Sequence, residues 1–393
     1  MTGKPVHALY ISSIYRIGKE ENMKAVILVG GQGTRLRPVT RLNPKPMLPL
    51  MNRPFMYSFL SWLKSHGLTD IVFSTCYLPK IFKDYFGDGS GFGLNLDYVA
   101  EDSPLGTCGA VKNVESYLDG QSFMVFNGDI LTSLDLTDMK RFHKEKGADI
   151  TISLTPVEDP TAYGLVPIGD DGRVKEFLEK PSSDQIVTNL INAGTYIIEP
   201  YLLELAPAGE KYSFERGLFP TALKKNYKIY GYVSNSYWLD VGTPEKYLAA
   251  HHDIALGKIK YDYPYPELAD GIYSGKNVKY QPESFKSGPV LVGDNTVIEP
   301  GAKVMPLSVI GNNCRIDSGS VVSGAIIFDN CRIGKDCHIK DSIISHNVEI
   351  GDDVSIGGIS IIGDNTKIAK GNVLDGGIKI NINSSIEEDE IKF

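Results

Sequence analysis

Cysteine is scarce in this chain. Five of 393 residues are cysteine (Cys76, Cys108, Cys314, Cys331 and Cys337), an odd number with no pair spaced as CxxC. That excludes a disulfide framework and a zinc ribbon, and points to a reducing, cytoplasmic compartment. Positive charge is short as well: 40 Lys and Arg stand against 48 Asp and Glu, a net charge of −8, and the cations form no block. A nucleic-acid coat needs a Lys/Arg face, so no nucleic-acid partner is expected. Long apolar runs are missing too. None approaches the ~18 residues of a membrane span, so no membrane partner is expected either. The first 22 residues carry one short apolar stretch, Val6 to Ile14, broken by Arg16 and followed by no small-residue cleavage site. This is not a secretory pattern. Residues 1–22 read as an extension ahead of the fold, with Met23 as an alternative start.

What is present falls into two rhythms, and the length suits two or three domains, each with its own core. From Met23 to Gly257, short apolar runs (Ala25–Val29, Ile71–Thr75, Phe123–Phe126) alternate with amphipathic stretches. Such runs suit strands buried on both faces of a parallel sheet. Helices are expected from Pro54 to His66, stopping at Gly67, and over 106–118, 135–146 and 243–256. The alternation implies an open α/β sandwich with a mostly parallel sheet. Residues 258–287, rich in Tyr, Pro and Lys, read as a connector with little regular structure.

From about residue 288 the period becomes six. Aliphatic residues recur at Val292, Ile298, Val304, Ile310, Ile316, Val322, Ile327, Ile333, Ile339, Ile344, Ile350, Ile356, Ile362, Ile368 and Leu374, with only two of the fourteen intervals shortened to five. Four places after the aliphatic stands a small residue, as at Thr296, Ala302, Ser308, Cys314, Ser320, Cys331 and Cys337. Each hexad supplies one short strand and a turn, and three close a triangular coil, so residues 288–383 form a parallel β-helix of about five coils. Three of the cysteines thereby become compact inward-facing hydrophobes. Residues 384–393 read as an acidic tail.

Directly after the first strand come GGQGTRLRPVT, residues 30–40, and NPKPMLPL, residues 43–50. A glycine-rich turn at a strand end lets backbone N–H groups approach a phosphate closely. No Gly-Lys-Ser/Thr follows, and Leu36 stands where a dinucleotide fingerprint has its third glycine. Arg35, Arg37 and Lys45 are cations suited to triphosphate oxygens. Asp129 ends the run Phe123–Phe126 through Asn127 and Gly128, and Asp240 follows Tyr237–Leu239. Open α/β sheets bind ligands at the carboxyl edge of their strands. Two carboxylates there are compatible with Mg²⁺, which takes one or two carboxylates plus phosphate oxygens.

GGQGTRLRP…PKPM resembles the motif of sugar-1-phosphate nucleotidyltransferases. The likeness continues in order through PLGTCGA (104–110), NGD (127–129), EKP (179–181), NAGTYII (192–198) and WLDVGTPEKY (238–247). With the hexads attached, the chain most resembles mannose-1-phosphate guanylyltransferases. The resemblance implies a Rossmann-like α/β nucleotidyltransferase domain over 23–257 and a C-terminal left-handed parallel β-helix. It implies nucleotide contacts at Leu28, Gly30, Gly31, Gly33, Thr34, Arg35, Glu101, Gly106 and Thr107, and Mg²⁺ ligation by Asp129 and Asp240. Arg35 and Lys45 would stabilise the leaving pyrophosphate, and Lys180 the sugar phosphate. Gly164, Glu179, Asn192 and Gly194 resemble the family's sugar contacts.

Glu101 bears on the base. Related thymidylyltransferases carry Gln at the matching place, whose amide suits thymine or uracil; an ionised Glu only accepts, which suits the N1–H and N2–H₂ donors of guanine. The expected substrates are therefore a nucleoside triphosphate, GTP favoured, and a sugar-1-phosphate, mannose favoured. Glucose-1-phosphate thymidylyl-, uridylyl- or adenylyl transfer, heptose-phosphate guanylyl transfer and a non-catalytic regulatory subunit are the alternatives. The β-helix is expected to support homo-oligomers; acyl transfer there would need a catalytic histidine, for which His338 and His346 are surface candidates.

Overall fold

A computed structural model describes residues 23–75, 79–179 and 186–393. The extension 1–22, Cys76 and Lys180 lie outside the described residues.

The N-terminal half is built on a sheet whose centre is the first strand. Strand β1 (Lys24–Leu28) is flanked in parallel by β4 (Asp70–Thr75) and β6 (Phe123–Asn127), and β4 is flanked in turn by β5 (Asn95–Ala100). Between β1 and β4 a small hairpin, β2 (Pro49–Leu50) and β3 (Arg53–Pro54), leads into α1 (Phe55–Ser65). Helices α2 (Pro79–Phe86) and α3 (Gly106–Asn113) follow β4 and β5. Beyond β6 come β7 (Ile130–Thr132), α4 (Leu136–Lys146) and β8 (Ile150–Pro156). Next are β9 (Gly164–Leu165), β10 (Leu178–Glu179) and β11 (Leu190–Ile198). After α5 (Phe219–Lys224), strand β12 (Ile229–Val233) pairs in parallel with β8, and β13 (Trp238–Asp240) leads into α6 (Pro244–Ala255).

Strand β11 runs antiparallel to both β6 and β8. A doubly buried apolar run carries no information about strand direction, so this reversal was invisible to pattern reading. Helix ends agree with the sequence where a capping residue marks them: Asp135 accepts from Asp138 N at the head of α4, Thr243 from Lys246 N at the head of α6, and Gly67 is left-handed after α1. The helix expected over 106–118 instead stops at Asn113 and resumes as a 3₁₀ turn, Glu115–Tyr117. Two cores cover the two sheet faces, one around Phe73, Phe126 and Leu60 and the other around Phe123, Val125 and Phe219.

Three parallel ladders of seven, six and five strands form the faces, the first extended at its edge by the antiparallel strand Glu267–Ala269. The expected aliphatic positions are all buried, and so are the seven small positions. Register shows what the two short intervals do. Val292 faces Ile310 at a spacing of 18 residues, Ile310 faces Ile327 at 17, and Ile344 faces Ile362 at 18 again. The shortened turns thus trim one corner without breaking the stack. Both ends differ from the expected boundaries. Within the connector, Ile272–Ser274 pairs with Val290–Val292, and within the tail, Ser385–Ile386 pairs with Lys367–Ile368. At the N-terminal rung Ser274 stands where the inner coils carry an aliphatic residue, whereas at the other end the period runs on through Ile380 and Ile386, which are only partly buried because an end coil has a neighbour on one side only.

The two halves share a core. Leu291, Val309, Ile326, Phe328, Ile343 and Ile361 on one β-helix face belong to the same apolar cluster as Tyr247, Leu248 and Ile254 of α6. Asn52 Nδ2 donates to Ile310 O (2.7 Å), Tyr265 OH to Asn312 Oδ1 (2.8 Å), and His252 Nε2 lies 2.9 Å from Gly324 O.

Candidate functional site

At the carboxyl end of β1 the chain turns away in a curl that only glycine tolerates. Gly33 has φ 58°, and a Cβ there would lie 3.1 Å from Thr40 Cγ2 and 3.2 Å from Lys45 Cβ. Its carbonyl accepts from Thr40 Oγ1 (2.8 Å) and from Leu36 N (3.0 Å), closing the 3₁₀ turn Thr34–Leu36. A cavity of roughly 470 Å³ opens above this loop. All nine expected nucleotide residues line it: Leu28, Gly30, Gly31, Gly33, Thr34, Arg35, Glu101, Gly106 and Thr107, together with Lys45 and Asp129.

The two carboxylates, about 110 residues apart in sequence, are joined by a pairing between short strands. In the β7–β13 ladder Asp240 sits opposite Ile130, and Val241 N donates to Asp129 O (2.9 Å). Each carboxylate has a lysine partner: Lys45 pairs with Asp129, and Lys246 with Asp240. Tyr163 OH also donates to Asp240 Oδ1 (3.1 Å). Burial alone would lower the Lys246 pKa, but its bonds to Asp240 and Tyr163 outweigh that and raise it. Arg35 completes the group. Its Nη2 lies 2.8 Å from where a Cβ would stand on Gly242, and Asp240 Oδ2 lies 3.5 Å from the same point. Among the described residues no three or more His, Cys, Asp or Glu gather into a metal cage. Two hard carboxylates, one of them lining the cavity, fit a divalent ion that completes its shell with phosphate oxygens and water.

At the other end of the cavity Glu101 is held by both oxygens. Oε1 accepts from Ser74 Oγ (3.1 Å) and Oε2 from Leu105 N (2.9 Å). It is therefore not a freely solvated loop acid. The Thr107 hydroxyl, expected to meet nucleotide, accepts from Phe214 N (2.9 Å) and so ties its loop to the segment after β11. A Cβ on Gly106, at φ 76°, would lie 2.8 Å from Tyr212 O. Cys108 is fully buried on α3, and burial pushes its thiol up to about 12, as a packing role requires.

The expected sugar residues occupy three neighbouring strands. Gly164 pairs with Glu179 across β9 and β10, and Asn192 and Gly194 lie on β11 beside β9. Asn192 spends its amide inside the protein: Nδ2 donates to Tyr196 OH (2.9 Å) and Oδ1 accepts from Gly194 N (3.0 Å). These bonds hold an irregularity in the β11 ladder between Asn192 and Tyr196. Gly194, at φ 72°, brings this strand against Asn127, which itself lines the cavity. Reasoning from sequence missed Ser74, Tyr163 and Lys246 as members of the site. Lys246 was visible in WLDVGTPEKY, but its partner was not.

The family model described as Nucleotidyl transferase matches residues 24–256, and one described as EIF2B subunit epsilon LbH domain matches 269–374. Mannose-1-phosphate guanylyltransferase of Mycobacterium tuberculosis is 40% identical over 304 residues, covering 76% of this chain and 82% of that protein. UTP–glucose-1-phosphate uridylyltransferase of Synechocystis is 34% identical over 318 residues, covering 77% of this chain and 82% of that one. Among solved structures, HddC from Yersinia pseudotuberculosis complexed with GMP-PN is 33% identical with a TM-score of 0.51, covering 58% of this chain and 97% of that one. The family match over residues 24–256 and the 40% identity to the Mycobacterium enzyme show that the chain belongs to the nucleotidyl transferase family, as an enzyme whose catalytic domain carries a left-handed β-helix.

Proposed function

We propose that this nucleotidyltransferase moves GMP from GTP to mannose-1-phosphate, giving GDP-mannose and pyrophosphate. The observation that carries the reading is Glu101, an acceptor pinned by Ser74 and Leu105 in the cavity that also holds the glycine loop, Arg35 and Lys45. A carboxylate held in this way offers its remaining lone pairs to a base that donates, as guanine does at N1 and N2. The names of the Mycobacterium, Gibberella and Saccharomyces relatives, all mannose-1-phosphate guanylyl- or guanyltransferases, support the same assignment.

In this mechanism a phosphate oxygen of the sugar phosphate attacks the α-phosphorus, a new P–O bond forms, and the α–β anhydride bond breaks to release pyrophosphate. The nucleophile is already ionised at neutral pH, so no general base is required. Transfers of this kind depend on alignment and charge neutralisation. Backbone N–H groups of Gly30–Thr34 and the side chains of Arg35 and Lys45 would hold the triphosphate and the departing pyrophosphate. Lys180 would screen the two anions from each other, and Gly164, Glu179, Asn192 and Gly194 would shape the sugar end. Enzymes of this family use a divalent metal, and we assign Mg²⁺ held by Asp129 and Asp240, which would neutralise charge on phosphate oxygens.

Pyrophosphate release measured for five nucleoside triphosphates against mannose-, glucose- and heptose-1-phosphates tests the assignment. GTP with mannose-1-phosphate should be the fastest pair, chelation should abolish turnover, and Mg²⁺ should restore it. Faster turnover of UTP with glucose-1-phosphate would move the chain to the chemistry named for its Synechocystis relative. We further assign the β-helix a role in self-association and the protein to the cytoplasm; native mass measurement and fractionation test these. No helix among the described residues is long and apolar enough to cross a membrane.

A further inference from the structure

The β-helix reaches into the catalytic loop through one side chain. Strand Lys379–Ile380 stacks on Ile361–Ile362 near the end of the coil, and Lys379 Nζ donates to the backbone carbonyl of Arg35, 344 positions away, at 3.2 Å. The 3₁₀ turn that carries Arg35 makes its internal bonds through the carbonyls of Gly33 and Thr34. The Arg35 carbonyl is thus the point at which the turn is tied to the other domain. Its guanidinium meanwhile lies against Gly242, between the two halves of the site. Lys379 also acts on the head of α6. A hydrogen bond from Thr243 holds the Glu245 carboxyl below its usual range, and the charge of Lys379 works in the same direction. One ammonium therefore stands between the phosphate loop and the helix that follows Asp240.

We propose that Lys379 is a positioning residue for the nucleotide: it ties the Arg35 turn to the β-helix and so aims the guanidinium at the triphosphate. Holding the carbonyl fixes the turn in which the Arg35 Cα sits and so limits where its side chain can reach, and a guanidinium must be aligned to form paired bonds with phosphate oxygens. The β-helix is then part of the catalytic apparatus as well as a scaffold. The inference rests on the triphosphate occupying the cavity above the loop, and not on guanine or mannose being the substrates.

The test compares Lys379→Ala, Lys379→Arg and the control Lys367→Ala, whose lysine pairs with Glu349 on another face of the prism. Steady-state kinetics use whichever substrate pair the wild type turns over fastest, so an error in base or sugar does not affect the outcome. Lys379→Ala should raise KM for the nucleotide about 3- to 10-fold, with KM for the sugar phosphate and Tm unchanged, and Lys379→Arg should restore most of the loss. Lys367→Ala should match wild type. A nucleotide KM unchanged in Lys379→Ala, an equal rise in both KM values, or failure of Lys379→Arg to rescue would each overturn the proposal.

Discussion

Replacing Glu101 by Gln changes one atom and tests the base assignment directly. The substitution should leave the fold intact, because the surroundings can accept an amide. Leu105 N, 2.9 Å from Oε2, still needs an acceptor, so the Gln carbonyl oxygen takes that place. The amide nitrogen then faces Ser74 Oγ, which lies 3.1 Å from Oε1. Ser74 can receive that bond by turning its own hydrogen to Ala110 O, already 3.3 Å away. What is lost is a charged acceptor toward the base, and one of two acceptor atoms becomes a donor. A hydrogen bond to an ionised group contributes about 1.5–3 kcal/mol against about 0.5–1.5 for a neutral one, and a buried donor left facing a donor costs about 1–3. Together these give about 2–4 kcal/mol against guanine, or roughly 30- to 1,000-fold in kcat/KM for GTP. Thymine and uracil, which present an acceptor beside their donor, should lose little or gain. The assay is pyrophosphate release with GTP, UTP and dTTP at a fixed sugar phosphate, with Tm measured in parallel. An unchanged GTP-to-UTP ratio at unchanged Tm would show that Glu101 does not read the base.

Three other perturbations probe separate parts of the molecule. Gly242 has ordinary backbone geometry, so Gly242→Ala should fold normally, but its methyl group would press on Arg35 Nη2; turnover should fall about 10- to 100-fold with Tm nearly unchanged, as assayed by kinetics and thermal melting. His251 is fully buried beside Pro49 O and Met51 N, and burial, helped by His252, drives its pKa from 6.5 to about 3. The unfolded chain takes up that proton below pH 6.5 and the folded chain does not until about 3, so its contribution is complete above 6.5 and is lost as pH falls through this window. Urea titrations should show a slope of stability on pH shallower in His251→Phe by up to about 1.4 kcal/mol per unit; equal slopes would refute it. Asn330 stands at φ 62° in a ladder of corner asparagines, donating to Asn347 and accepting from Asn313, both at 3.1 Å. Asn330→Ala should cost about 1–3 kcal/mol, and Asn330→Gly less because glycine tolerates the left-handed turn; thermal and urea unfolding distinguish them.

The corner ladder shows how far pattern reading reached. Asn277, Asn295, Asn313, Asn330, Asn347, Asn365 and Asn383 are spaced by one coil, and each amide bonds to the next. Their spacing was present in the sequence, but the aliphatic hexads drew the attention because a β-helix is announced by what it buries. The same bias placed the domain boundary at 288, where burial becomes regular, although pairing begins at Ile272. In the catalytic half the glycine loop was legible because its conformation is demanded locally, at Gly33 above all.

By itself the sequence determined those features in which a residue answers mainly to its near neighbours. The six-residue repeat, the alternation of strand and helix, the helix starts at Asp135 and Thr243, and the glycine turn after β1 are of this kind. Only the tertiary structure decided which distant groups meet. Asp129 and Asp240 converge because β7 pairs with β13, Glu101 is pinned because β4 delivers Ser74 beside it, and Lys379 finds Arg35 because a coil end is docked against the catalytic domain. The physical reason is one of range. Backbone sterics and side-chain periodicity act over a few residues, whereas a hydrogen bond between positions 344 residues apart depends on every strand direction and every packed face in between.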